Sequence, residues 1–282
     1  MQMILEFEDV RYTYPGGRSE ALCGLTLQVP EGKKCVLLGH NGCGKSTLFL
    51  HGNGIYRPDA GEVRWRGQAL SYKRKDLLEL RRQVGIVFQD PEQQVVASTV
   101  LEDISYGMCN LGVPEQEMKE RIEAVLDRFS LREFAERPIH QLSLGQKKRV
   151  ALAGVMVLAP VLLLLDEPTA YLDRLHTERL LAELDEIHRA GTTVLMATHD
   201  LDVAYAWADW IFVMNKGQLV CAGTPDEVFR DRDRLMSWQL GQPQLYEVWR
   251  EVAPLLQDEK SVAPRTVAQM IERIRKIGEK KI

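Results

Sequence analysis

Apolar and polar positions along the 282 residues follow two periods, one near two and one near 3.6. Alternating or continuous apolar runs at 4–10, 25–29, 35–38, 84–88, 161–165, 193–197, 211–214 and 219–221 predict β-strands. The first two, separated by the turn signal Pro15-Gly16-Gly17, read as an antiparallel pair, and the last two as late strands joined at Lys216-Gly217. A turn at Arg57-Pro58-Asp59 leads into a further short alternating strand. Five branched apolar residues in a row, 161–165, fit a central parallel strand buried on both faces.

Between these runs the period changes. Met118, Ile122, Val125, Leu126 and Phe129 share one helical face within a helical insertion spanning about 92–157. Leu180, Leu181, Leu184 and Ile187 mark another amphipathic helix. Strands alternating with helices predict an α/β domain with a mainly parallel sheet over 3–235. Beyond it, over 236–282, Leu245, Val248, Trp249 and Val252 form one stripe, and after Pro264 so do Val267, Met270, Ile271, Ile274 and Ile277. The expected result is a small helical appendage, packed either on its own domain or on another subunit.

Composition adds exclusions. Hydrophobic residues are 45% and charged residues 27%, with a net charge of −4 and the signs interspersed, so no basic field for nucleic acid is expected. Five cysteines without a C-x-x-C pair predict reduced thiols in a cytoplasmic setting and no zinc site. No basic n-region with an apolar core opens the sequence, and no apolar run approaches the roughly 20 residues that cross a bilayer. A membrane, if involved, is expected to be spanned by another protein.

The strand at 35–38 runs into Gly39-His40-Asn41-Gly42-Cys43-Gly44-Lys45-Ser46, followed by Thr47 and an apolar helix start. The spacing is that of a phosphate-binding loop, G-x-x-x-x-G-K-[ST]. Gly42 and Gly44 let the chain approach a triphosphate with its N–H groups turned inward, and the phosphates rest on the positive end of the next helix. Lys45 is placed to reach the β- and γ-phosphates, and the Ser46 hydroxyl to complete Mg²⁺ coordination.

The strand at 161–165 ends in Asp166-Glu167. Carboxylates closing an apolar strand point to chemistry: Asp166, on a strand expected beside the phosphate loop, to Mg²⁺ with Ser46, and Glu167 to the attacking water. Gln89, at the end of the 84–88 strand, is placed to bridge the metal and that water, and His199, after the 193–197 strand, to donate to the γ-phosphate. Ser143 and Gly145 open a helix, where hydroxyl and N–H groups meet phosphate. Tyr14 offers an aromatic face for adenine, ahead of Tyr12.

In this order, Tyr14, the phosphate loop, Gln89, Ser143-Leu144-Gly145-Gln146, Asp166-Glu167, Asp173 and His199 resemble the ATP-binding cassette ATPases over roughly residues 3–230. The resemblance implies ATP and Mg²⁺ as ligands and the phosphate-loop cassette fold. That fold has a mainly parallel core sheet, an antiparallel β subdomain, a helical subdomain and here a C-terminal helical appendage. It also implies that Ser143, Gly145, Gln146 and Asp173 act on the nucleotide of a second ATPase subunit, a copy or a relative. Two departures stand out: Leu144 replaces the usual glycine, and Tyr171 and Arg174 flank Asp173 where a small residue and proline are common.

The segments 48–55, 87–94 and 146–154 are similar to ATPases of energy-coupling-factor importers, especially the cobalt and nickel branch. This implies a protein at the cytoplasmic face of the membrane, docked on a transmembrane coupling protein beside a membrane substrate-binding subunit, with Gln89–Gln94 moving against that partner. Vitamin importers and other cassette transporters share the nucleotide chemistry. Cassettes acting on DNA carry a long coiled-coil insertion or a basic surface, and ribosomal ones two cassettes in a chain; neither feature is in this sequence.

Overall fold

Successive residues of the buried strands belong to opposite cores, and this alternation sets the architecture. The computed structural model describes residues 2–256, 258 and 262–279. Strands β1 (Met3–Tyr12), β2 (Leu22–Pro30) and β3 (Lys34–Leu38) lead through a loop to α1 (Lys45–Gly52), then β4 (Ala60–Trp65), β5 (Gln68–Ala69), α2 (Arg74–Gln83) and β6 (Val84–Val87). Helices α3 (Val100–Asn110), α4 (Glu115–Arg128) and α5 (Leu144–Met156) follow. Next come β7 (Leu162–Asp166), α6 (Arg174–Arg189), β8 (Thr193–Thr198), α7 (Leu201–Trp207), β9 (Trp210–Asn215) and β10 (Gln218–Gly223). The last described helices are α8 (Pro225–Phe229), α9 (Arg232–Ser237), α10 (Gln244–Leu256) and α11 (Val267–Glu279).

Two sheets result. The antiparallel one runs β2-β1-β4-β5, with Phe7 opposite Leu27 and Val63, as the paired runs near the start of the sequence predict. The six-stranded one runs β10-β9-β3-β8-β7-β6; all its pairings are parallel except the edge hairpin of β9 and β10. Val36 and Leu38 of β3 and Leu163 and Leu165 of β7 enter the core shared with the helical region. Their neighbours Cys35, Leu37, Leu162 and Leu164 enter the other core, with α1 and the antiparallel sheet. Period-two side chains in a sheet covered on both faces explain why these strands are apolar throughout.

The strand that ends at Asp166 brings that carboxylate to the phosphate loop, as expected, where the Ser46 side chain bonds to it. In the sheet, however, β8 stands between β7 and β3. The two ends still meet because α1 leaves β3 and crosses the sheet face, so that a Cβ on Gly52 would lie 3.5 Å from Leu164 of β7.

The C-terminal stripe divides. Tyr246, Trp249, Ala253 and Met270 join the core that holds Tyr205 and Phe229, with the Tyr205 and Tyr246 rings 5.5 Å apart edge to face. Arg265 Nη1 donates to Ala208 O at 2.6 Å, and Gln244 N to Asp202 Oδ1 at 2.7 Å. The appendage therefore seats on its own chain. Val248, Val267, Ile271 and Ile274 of the same stripes remain exposed, and the side chain of Ile277 lies outside the described residues.

Candidate functional site

The loop between β3 and α1 is built by glycine. Gly42 and Gly44 have φ of +78° and +105°, in the left-handed region that side chains rarely adopt. A Cβ on Gly39 would come 2.5 Å from both Cys43 Sγ and Met214 O, so only glycine fits there. Lys45 follows at the helix start with 5% of its surface exposed. Its ammonium donates to the loop carbonyls of Gly39 at 2.6 Å and His40 at 3.2 Å. Asn41 and Gly42 stay exposed at the loop tip, Cys43 is buried beneath it, and His40 Nε2 lies 3.1 Å from Trp238 O.

Facing the loop are the two carboxylates that end β7. Glu167 is buried, its Oε1 lies 3.2 Å from Lys45 Nζ, and its Oε2 lies 2.9 Å from Nδ1 of the exposed His199. Oε1 makes no directed hydrogen bond, so the Lys45 contact is ionic. Glu167 itself has φ of +46°, a conformation that costs energy outside glycine and holds its carboxylate turned toward the loop. Asp166 is buried too; burial pushes its carboxyl above the usual range, while the Ser46 side chain, hydrogen-bonded to it, pulls it back. A buried carboxylate and a hydroxyl in contact form a hard oxygen pair, the donor type that suits Mg²⁺.

Tyr14 stands at the edge of this site, 41% exposed, its hydroxyl 2.9 Å from Thr47 Oγ1. Tyr12, 9% exposed, is stacked on Tyr56 at 5.2 Å and belongs to the core. His51, which the pattern alone leaves unremarked, supports this edge from inside: fully buried, it places Nδ1 2.7 Å from Thr47 O.

Gln89 is half-buried in the turn after β6. Gln94 fixes that turn, accepting from Phe88 N at 3.0 Å and donating to Ala151 O of α5 at 3.2 Å. The remaining expected residues lie apart from the loop and bond locally. Ser143 caps α5, accepting from Gln146 N at 3.3 Å while its own N–H donates to Gln146 Oε1 at 2.8 Å. Asp173 caps α6, accepting from His176 N at 2.8 Å, and His176 holds its carboxyl below the ordinary range. Leu144 and Tyr171 project outward beside these caps, Tyr171 with 81% of its surface exposed. Lys148 is the functional candidate least visible in sequence. In the run Gln146-Lys147-Lys148-Arg149 it reads as surface charge, yet it is buried.

The sequence profile of the ABC transporter family matches residues 22–170. A putative ABC transporter ATP-binding protein of Nostoc is 57% identical over 248 residues, covering 88% of this chain and 90% of that protein. The energy-coupling factor transporter ATP-binding protein EcfA of Methanocaldococcus jannaschii is 42% identical over 242 residues, covering 86% of each. Among solved structures, CbiO1 of Clostridium perfringens, described as part of the ABC transporter complex CbiONQ, superposes with a TM-score of 0.75. It is 38% identical, over 89% of this chain and 99% of that one.

Proposed function

The chain belongs to the ABC transporter ATPases, of energy-coupling-factor type, and from that premise we propose that it powers uptake of a transition-metal ion, cobalt or nickel, through membrane partners. Its substrate is ATP with Mg²⁺ and its reaction is ATP hydrolysis. No described helix is long and apolar enough to cross a membrane. In the proposed arrangement the chain sits at the cytoplasmic face, docked on a transmembrane coupling protein beside a substrate-binding membrane subunit.

The observation that carries the chemical part is the buried contact of Lys45 with Glu167, which in turn meets His199. Lys45 would exchange its loop carbonyls and carboxylate for the β- and γ-phosphates, releasing Glu167 to hold the attacking water and take its proton. His199 would donate to the γ-phosphate, and Tyr14 would stack on adenine at the rim. Ser46, Asp166 and Gln89 would hold Mg²⁺. When bound, that ion neutralises charge on the phosphate oxygens.

The exposed caps support a second cassette as partner. Ser143 and Gly145 present a hydroxyl and N–H groups at an open helix start, and Asp173 an accessible carboxylate. Set against the phosphate loop of a second cassette, they would close the site around ATP and reopen after hydrolysis. The choice of cobalt or nickel rests on the sequence likeness of 48–55, 87–94 and 146–154 to that branch and on the likeness to CbiO1.

The test is reconstitution of the chain with its membrane partners in proteoliposomes, measuring ATP-dependent uptake of Co²⁺, Ni²⁺ and vitamins. Metal accumulation that requires ATP is the expected result. Vitamin uptake without metal uptake would move the protein to another importer branch, and a complex without ATP hydrolysis would remove the transport reading.

A further inference from the structure

Lys148 lies on the first turns of α5 with 9% of its surface exposed. With Phe88, Pro91, Leu165 and Pro168 it lines a small, largely apolar cavity. The ammonium ends on two backbone carbonyls, Pro168 O at 2.8 Å and Ala170 O at 2.6 Å. A buried ammonium is costly unless its donors are used, and here they are used on the turn that follows Glu167. That turn is closed by Ala170 N donating to Glu167 O at 3.1 Å, and it starts at the left-handed backbone of Glu167 itself. Strained backbone persists only where its surroundings over-determine it.

We propose that Lys148 is a positioning residue for hydrolysis: its ammonium clamps the 168–170 turn and so fixes the aim of the Glu167 carboxylate at the attacking water. The inference rests on the assignment of Glu167 as the base. It also gives α5 a direct line to the chemistry. Ser143, at the helix start, is five residues from Lys148, about 7.5 Å along the axis. A pull on that end by a second subunit is transmitted to the turn after Glu167.

The charge matters as well as the donors. Burial lowers the Lys148 pKa to about 8, against the attraction of Asp90 and Glu167. From neighbouring positions Arg149 of α5 and His176, Arg179 and Glu183 of α6 line the adjoining cavity. Charged donors bind carbonyls more strongly than neutral ones.

The experiment compares ATPase kinetics of the parent, Lys148→Met, Lys148→Gln and Glu167→Gln, with thermal melts as the control for folding. Lys148→Met is expected to lower kcat about 30-fold with KM for ATP changed less than about twofold, and Lys148→Gln, a neutral donor, about fivefold. Between about pH 7 and about pH 9.5 the parent kcat should fall toward that of Lys148→Gln, so that their ratio approaches one. If Lys148→Met does not fold, kcat of the parent against Lys148→Gln carries the test alone. Parental kcat in the folded Lys148 variants overturns the proposal while Glu167→Gln remains inactive. Normal turnover in Glu167→Gln instead removes the base assignment, and the clamp with it.

Discussion

Lys45 and Glu167 hold each other across the site, Nζ to Oε1 at 3.2 Å, with side chains only 5% and 6% exposed. Neither side chain has water to fall back on, so removing Lys45 leaves the buried Glu167 carboxylate with the His199 contact and no compensating ammonium, whereas Lys45 without Glu167 keeps its two loop carbonyls. Lys45→Met should destabilise the fold by about 3–5 kcal/mol, and Lys45→Met with Glu167→Gln should recover most of that loss, because the stranded carboxylate is gone. Glu167→Gln alone should keep ATP binding and lower turnover by about a hundredfold or more. Urea midpoints of the three variants and their ATPase rates make the check. Stability losses that add without coupling would show that the pair is incidental.

His51 makes the rim sensitive to acid. Its ring is buried against Tyr12 at 4.7 Å and bonded to Thr47 O, and burial holds its pKa below the ordinary 6.5. As pH falls below 6.5 the unfolded chain takes up a proton that the folded chain resists. Stability is therefore complete above the unfolded pKa and is lost as pH drops toward the folded one. Between about pH 7 and about pH 5 the parent should lose more stability than His51→Gln, read from denaturant midpoints at each pH. Parallel curves for the two proteins would exclude this group.

Trp249 tests how the appendage is attached. It is 4% exposed on α10, with the Arg273 guanidinium of α11 5.0 Å above its ring, and it shares a core with Tyr205 and Phe229. Trp249→Ala should cost about 3–5 kcal/mol and lower the single unfolding transition of the whole chain. Val248→Ala, one residue away and 51% exposed, should change stability by about 0.5 kcal/mol or less. Separate melting of the appendage in calorimetry would contradict the shared core.

What the sequence discloses follows the strength of each physical signal. The buried strands and the glycine loop are legible because both faces of the sheet are covered, because Gly39 and Gly44 leave no room for a side chain, and because Gly42 and Gly44 have a backbone that side chains rarely adopt. Helix α2 is not legible: only Leu80 of its ten residues is buried, so no apolar stripe marks it. The separation of β7 from β3 by β8 is also hidden, since strand order depends on crossovers between segments far apart in sequence. Lys148 and His51 escape for a related reason. Their roles come from burial, and in sequence they stand among the charged residues after Gln146 and on an otherwise ordinary helix. The local bonds of Ser143, Gln146 and Asp173 show the converse, residues named from the motif that among the described residues bond within their own helix caps, Asp173 also to the His176 ring.

Ser143 allows stability and activity to be driven in opposite directions. Its hydroxyl caps α5, and aspartate caps a helix start as well as serine while adding a charge that favours the positive end. Ser143→Asp should thus keep the fold within about 0.5 kcal/mol of the parent, whereas Ser143→Ala should lose about 1 kcal/mol. If this turn meets the γ-phosphate held by a second subunit, the order reverses for assembly. The new carboxylate would face phosphate, and ATP-dependent dimerisation of Ser143→Asp, measured by size-exclusion chromatography in a Glu167→Gln background, should weaken by about a hundredfold. Ser143→Ala loses one hydrogen bond to a charged group there and should weaken dimerisation by about tenfold. A Ser143→Asp variant that dimerises as the parent does would mean that no phosphate comes to this helix start, and the two-subunit site would have to be abandoned.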